Sequence, residues 1–126
     1  VKNDIALLMI RLGFGGMMLF SHGLPKLLNF SEKSATFFDP IGLGSPVALS
    51  LAIFAEVFCS AGVMLGVMTR WAAIPLVITM LVAAGLVHAD DPWSKKEFPL
   101  LFAMAFSALM VSGGGALSID RMRERQ

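Results

Sequence analysis

The sequence predicts an all-α integral membrane protein, an antiparallel bundle of four transmembrane helices with an interfacial first loop, in a single domain spanning residues 1–126. Three observations carry this. The 126 residues are 56% hydrophobic and only 15% charged, with a mean hydropathy of +0.76, too apolar for a soluble domain of this size. The apolar residues gather in four runs, about 5–28, 47–68, 71–88 and 98–113, each of a length suited to crossing or nearly crossing a bilayer. None of the runs alternates as a strand does, and open sheets cannot satisfy their backbone in lipid, so helices are the permitted form.

The first run opens with Lys2 and an apolar stretch, the outline of a signal peptide. No small-residue cleavage site precedes the polar Ser21-His22, so a retained helix is expected. The link from Asn29 to Ser45 mixes Phe30, Phe37, Phe38, Ile41 and Leu43 with Glu32, Lys33 and Asp39. That composition suits the membrane interface, as a plain interfacial loop or as a half-buried lid over the mouth of the bundle. The second and third runs are separated only by Thr69-Arg70, which predicts an antiparallel hairpin. Pro75, near the start of the third run, is tolerated there or kinks it. The link from His88 to Glu97 holds Asp90, Asp91, Pro92, Trp93, Lys95 and Lys96 and reads as a solvated turn anchored by tryptophan.

Four spans put both termini and the short hairpin on one side, with Lys2, Arg70, Arg121, Arg123 and Arg125. Lys26, Lys33, Lys95 and Lys96 lie on the other. The basic bias places the termini in the cytoplasm.

The most informative residue is Glu56, inside a run otherwise free of charge from Val47 to Met68. A carboxylate at that depth costs roughly 2.5–3.5 kcal/mol on insertion scales, so it is expected to face a partner, a cavity or a ligand. Arg11 interrupts the first run in the same way. Arg11, Gly15, Met18, His22 and Lys26 fall on one narrow helical face, which must look inward. Eleven residues separate Arg11 from His22, and eleven separate Ser45 from Glu56, a rise of ~16 Å in each case. With His22 and Ser45 taken as the same end of the bundle, Arg11 and Glu56 lie at one depth and form a buried pair, acting as a structural clamp or also holding a polar ligand or proton. Nearer the mouth, His22, Lys26, His88 and Glu97 sit at the ends of three helices as a candidate ligand or proton site. Their spacing matches no metal motif, and a bis-histidine haem is disfavoured. Cys59 stands alone, so no disulfide or Cys-x-x-Cys pair forms within the chain; beside a carboxylate and away from cations it is expected to be inert. The net charge of +1, with scattered basic residues, offers no nucleic-acid surface. Methionines and phenylalanines are most simply packing and lipid contact, although they permit a quinone slot.

Arg11, then Ser21-His22-Gly23-Leu24-Pro25-Lys26-Leu27, Glu56, Gly66-Val67-Met68-Thr69-Arg70-Trp71, His88 and Gly113-Gly114-Gly115-Ala116-Leu117-Ser118-Ile119-Asp120 together resemble the DoxX family of small bacterial inner-membrane proteins. The resemblance covers nearly the whole chain and lies in the ordered set, not in any one motif. Gly114 stands where the family often has proline. The wider four-helix group includes the DoxD-type subunit of thiosulfate:quinone oxidoreductase. The resemblance implies a multi-pass protein of the bacterial cytoplasmic membrane, of a family usually labelled oxidoreductase, working with redox partner proteins. The positions it carries over are Arg11, His22, Gly23, Lys26, Glu56, Arg70 and His88.

The leading expectation is therefore a membrane subunit of a redox complex that binds a quinone or similar small molecule in the bundle. No catalytic motif is visible in this chain. The alternative is a non-catalytic scaffold or small-solute carrier in which Arg11 and Glu56 are a structural lock. Small residues on the helix faces permit a homo-oligomer.

Overall fold

A computed structural model describes residues 1–126 and is all-helical. Helix α1 runs Lys2–Leu28, α2 is the single turn Phe30–Lys33, α3 runs Ser45–Leu65, α4 runs Thr69–Val87, α5 runs Trp93–Ser112 and α6 is the short Ile119–Glu124. Helices α1, α3 and α4 are long and apolar enough to cross a membrane. In α5 the first five residues include Lys95, Lys96 and Glu97, so its uncharged part, Phe98–Ser112, rises only ~22 Å, short of a ~30 Å hydrocarbon core.

Helices α4 and α5 pack along most of their lengths, α1 packs on the C-terminal half of α3, and α4 also contacts the middle of α3. Only 24 residues are buried. Eleven of them form one apolar seam that includes Met18, Ala55, Val63, Leu76, Phe102 and Phe106, while Met9, Phe20, Phe58, Leu81 and Met104 point outward. A bundle that hides so little of its apolar surface is built for lipid, not water. Trp71 and Trp93, both exposed, sit at the first turns of α4 and α5, at opposite ends of the bundle, where interfacial aromatics belong.

At the end of the bundle that holds the termini, one local and one long-range cap close the fold. Gly66, at φ +73°, takes the left-handed conformation that glycine adopts without penalty, and the Val67 and Gly66 N–H groups donate to Gly62 and Val63 O, a Schellman end for α3. Asp120, from far along the chain, caps α4: its carboxylate accepts from Met68 N–H (2.7 Å), Thr69 N–H (2.9 Å) and the Thr69 hydroxyl (3.0 Å). Partial burial alone would raise the Asp120 pKa, yet these donors hold it below its ordinary value. The ionised form is thus favoured by folding. Its contribution is complete above the unfolded carboxylate pKa of about 3.9 and is lost as pH falls through the lower folded value. Asp120→Asn is expected to lower stability by roughly 1–2 kcal/mol at neutral pH. It should also remove part of the acid sensitivity, which thermal unfolding in detergent at pH 3 to 7 would read.

In the other half of the bundle, α1, α3 and α4 each contain a widened π turn, at Leu19–Gly23, Phe54–Cys59 and Ala83–Val87. The first lies just before Pro25, whose missing N–H and bulky ring an ideal α turn accommodates poorly. Gly23, at its end, packs α1 closely against α3. A methyl added there would sit 2.6 Å from the Glu56 carbonyl carbon and 2.9 Å from Val57 Cγ2. Gly23→Ala should therefore push α1 off α3 and cost about 1–3 kcal/mol. Gly13→Ala, with nothing within 4 Å, should be neutral or slightly stabilising; the same melting assay separates the two.

Candidate functional site

The face of α1 that carries Arg11, Gly15, Met18, His22 and Lys26 does turn inward. Arg11 and Glu56, both buried, form no ion pair with each other. The Arg11 guanidinium instead donates to four backbone carbonyls: Nε to Val63 O at 3.0 Å, Nη2 to Met64 O at 2.9 Å, and Nη1 to Gly114 O and Leu117 O at 2.9 Å each. Val63 and Met64 are in the last turn of α3, whose carbonyls lack helical partners and carry the negative end of the helix dipole. Arg11 thus ties α1 to the end of α3 and to the segment after α5.

The expected pairing fails for a geometric reason. It matched His22 to Ser45 in depth, although the first run, expected to reach about 28, continues as helix to Leu28, six residues or ~9 Å further. That slides Arg11 down to Val63, seven residues or ~10 Å beyond Glu56 along α3, and brings Lys26 opposite Glu56. Lys26 Nζ lies 2.9 Å from Glu56 Oε1 and also donates to His22 O at 3.4 Å. The Glu56 side chain is 4% exposed and that of Lys26 20%, so this is the buried ion pair of the molecule. Glu56 Oε2 is fully buried and has no hydrogen-bond partner.

Beside this pair opens a cavity of about 540 Å³. Its walls come from the ends of α1 and α5, the first half of α3, the second half of α4 and the loop Phe37–Leu43, and they are largely apolar. Glu56, Lys26, His22 and His88 all line it. The three π turns lie along the same half of the bundle; such turns recur at functional sites, where the extra residue re-aims side chains.

The loop is shaped by Asp39, whose carboxylate accepts from Leu43 N–H (3.1 Å) and Gly44 N–H (2.7 Å). Ser45 Oγ donates to Phe37 O at 2.8 Å. Phe37, Phe38 and Ile41 are thereby laid along the cavity rim. On the opposite wall the His22 ring packs on Phe98, centroids 4.9 Å apart, and Phe98 on Phe102 at 4.4 Å, which makes an aromatic side to the cavity.

His88 Nδ1–H donates to Asp91 Oδ2 at 2.7 Å. That hydrogen bond holds the Asp91 carboxyl below its ordinary pKa and fixes the imidazole tautomer, leaving Nε2 without a partner. Glu97 does not join the site. It is exposed on α5 and absent from the cavity wall: Lys95, Phe98 and Pro99 line the cavity, and Glu97, two residues past Lys95, is turned more than half a helical turn away from it. Cys59 packs within the apolar seam. No three His, Cys, Asp or Glu side chains converge anywhere in the chain.

Lys26 and Glu56 were each visible as candidates from sequence, but their pairing was not. The available signal was the end of the first run at about 28, past Leu27-Leu28, which was the proper depth reference in place of His22. The Asp120 cap and the carbonyl cage around Arg11 had no comparable signal, since both join segments more than 50 residues apart.

Comparison with known proteins places the chain among membrane proteins. Residues 6–89 match the DoxX family. A protein of Haemophilus influenzae described as uncharacterised is 27% identical over 97% of this chain and 85% of its own length. An uncharacterised membrane protein of Mycobacterium tuberculosis is 28% identical over 84% of this chain and 74% of its own. No solved structure matches the chain.

Proposed function

The chain belongs to the DoxX family, and from that premise we propose that it binds a lipid-soluble small molecule of the quinone class in the cavity beside Lys26 and Glu56. In this reading it is the membrane component of a redox complex in the bacterial cytoplasmic membrane. Helix α5 crosses with α1, α3 and α4 as the fourth span, and the termini lie on the cytoplasmic side. Electron donors and acceptors come from partner proteins, since Cys59 has no second thiol in the chain.

The observation that carries the reading is Glu56 Oε2, a buried polar atom without a partner, on a side chain that lines an apolar cavity of about 540 Å³. Leaving such an atom unpaired costs on the order of 1–3 kcal/mol or more, and a cavity of this size is within the usual range for small-molecule sites. The polar head of the ligand meets Glu56, Lys26 and His22, its ring lies along His22 and Phe98, and its tail leaves among the apolar residues of α3 and α4. His88 Nε2 is placed to exchange hydrogen bonds at the rim.

A scaffold held by an Arg11–Glu56 lock is less well supported, because Arg11 spends its donors on backbone carbonyls.

The test is mass spectrometry of an organic extract from protein taken gently out of its native membrane, followed by binding of decyl-chain quinone and quinol analogues to the protein in nanodiscs. A stoichiometric quinone-class molecule is expected, with affinity at least about tenfold weaker in Glu56→Gln, as the loss of one charged hydrogen bond implies. Absence of any such molecule together with no analogue binding would overturn the proposal.

A further inference from the structure

The two oxygens of Glu56 are not equivalent, and the difference bears on which ligands the cavity accepts. Oε1 is held by Lys26 Nζ at 2.9 Å, and Oε2, fully buried, has nothing. A carboxylate paired with an ammonium group only accepts hydrogen bonds. The ammonium itself has three N–H groups, of which one goes to Glu56 and one to His22 O at 3.4 Å, so one remains. One acceptor and one donor are therefore left without partners on adjacent side chains that both line the cavity, with the His22 ring packed on Phe98 beside them.

Resting on the proposed ligand-binding reading, we infer that the cavity selects molecules whose ring carries a hydroxyl, the phenol or quinol form, over those that present only carbonyl or ether oxygens. A hydroxyl satisfies both groups at once: its O–H donates to Glu56 Oε2 while its oxygen accepts from Lys26. A carbonyl or ether oxygen fills only the second role. Set near Oε2 it brings lone pair against lone pair and leaves the buried carboxylate oxygen unpaired. Sites built to hydrogen-bond a hydroxyl reject analogues that lack the proton far more strongly than apolar pockets reject an added one. In a redox setting the same geometry makes the reduced member of a quinone couple the form that is held, and the oxidised member the form that is released. No electron or proton need be transferred by this chain for that discrimination to operate.

The test uses two ligands that differ by one group, para-nonylphenol and its methyl ether, binding to the wild-type protein in nanodiscs after subtraction of partition into protein-free discs. The phenol is expected to bind at least about tenfold more tightly, the factor that one hydrogen bond to a charged group supports. In Glu56→Gln the preference should shrink to within about threefold. Equal binding of phenol and ether to the wild type, or an undiminished preference in Glu56→Gln, overturns the inference while leaving a ligand cavity standing. If neither compound binds, the ligand-binding reading fails and the inference goes with it.

Discussion

Replacing Arg11 by methionine should destabilise the folded protein by at least about 3 kcal/mol, read as the unfolding free energy in detergent or by steric trapping in bicelles. The figure is the worth of two hydrogen bonds from a charged donor. It is a lower bound because four carbonyls lose the arginine together, of which only Val63 O keeps a second donor, Gly66 N–H. Arg11→Lys should recover only part of the loss, since an ammonium is a point charge without the planar fork that reaches two chain segments at once. Glu56 should not matter to this effect. Arg11 and Glu56 share no partner and are offset by seven residues of α3, ~10 Å, so Arg11→Met and Glu56→Gln should add to within about 0.5 kcal/mol. A coupling above 1 kcal/mol would restore the direct pair.

The second large effect is at Lys26. Lys26→Met leaves Glu56 buried with no counter-charge, a state that costs about 3–5 kcal/mol where a buried pair is broken from one side. The variant should melt well below wild type at neutral pH and recover part of the deficit at lower pH, where the carboxyl takes up a proton. Lys26→Met with Glu56→Gln should be more stable than Lys26→Met alone, because a neutral amide replaces the lone charge. If the single variant proved as stable as wild type at neutral pH, Lys26 would not be the group that neutralises Glu56.

What could be read from sequence divides along physical lines. The apolar helices announced themselves because lipid forces their length and composition, and the inward face of α1 was visible because Arg11, Gly15, His22 and Lys26 recur at helical spacing. Glu56 stood out by cost alone. Depth was harder: pairing two charges on different helices needs a common origin, and matching His22 rather than Leu28 to Ser45 displaced Arg11 by nearly two turns. The partners of Arg11 are peptide carbonyls, which every residue has and no side-chain pattern marks. The nearest hint was Gly66 followed by the Gly113-Gly114-Gly115 run, places where helices end and carbonyls come free. The π turns add a residue to a turn without a residue type that demands it, Pro25 excepted, so the register shift around Glu56 became visible only in the fold. Glu97 shows the converse error, a chemically apt residue at the right end of the right helix but on the wrong side of it.

The two charged residues thus divide the bundle. Arg11, with Gly66, Thr69 and Asp120, closes one end as a backbone-capping knot; Glu56, with Lys26, His22 and His88, opens the other onto a cavity. The most direct test of that division is photolabelling of the protein in nanodiscs with an alkylphenol bearing a diazirine in its tail, the cross-links mapped by peptide mass spectrometry. Labels on the cavity walls, between Ala48 and Glu56 of α3 and between Thr79 and Val87 of α4, competed away by unlabelled alkylphenol and lost in Glu56→Gln, are the predicted result. Labels confined to outward residues such as Phe58 and Met104, indifferent to competitor, would contradict it.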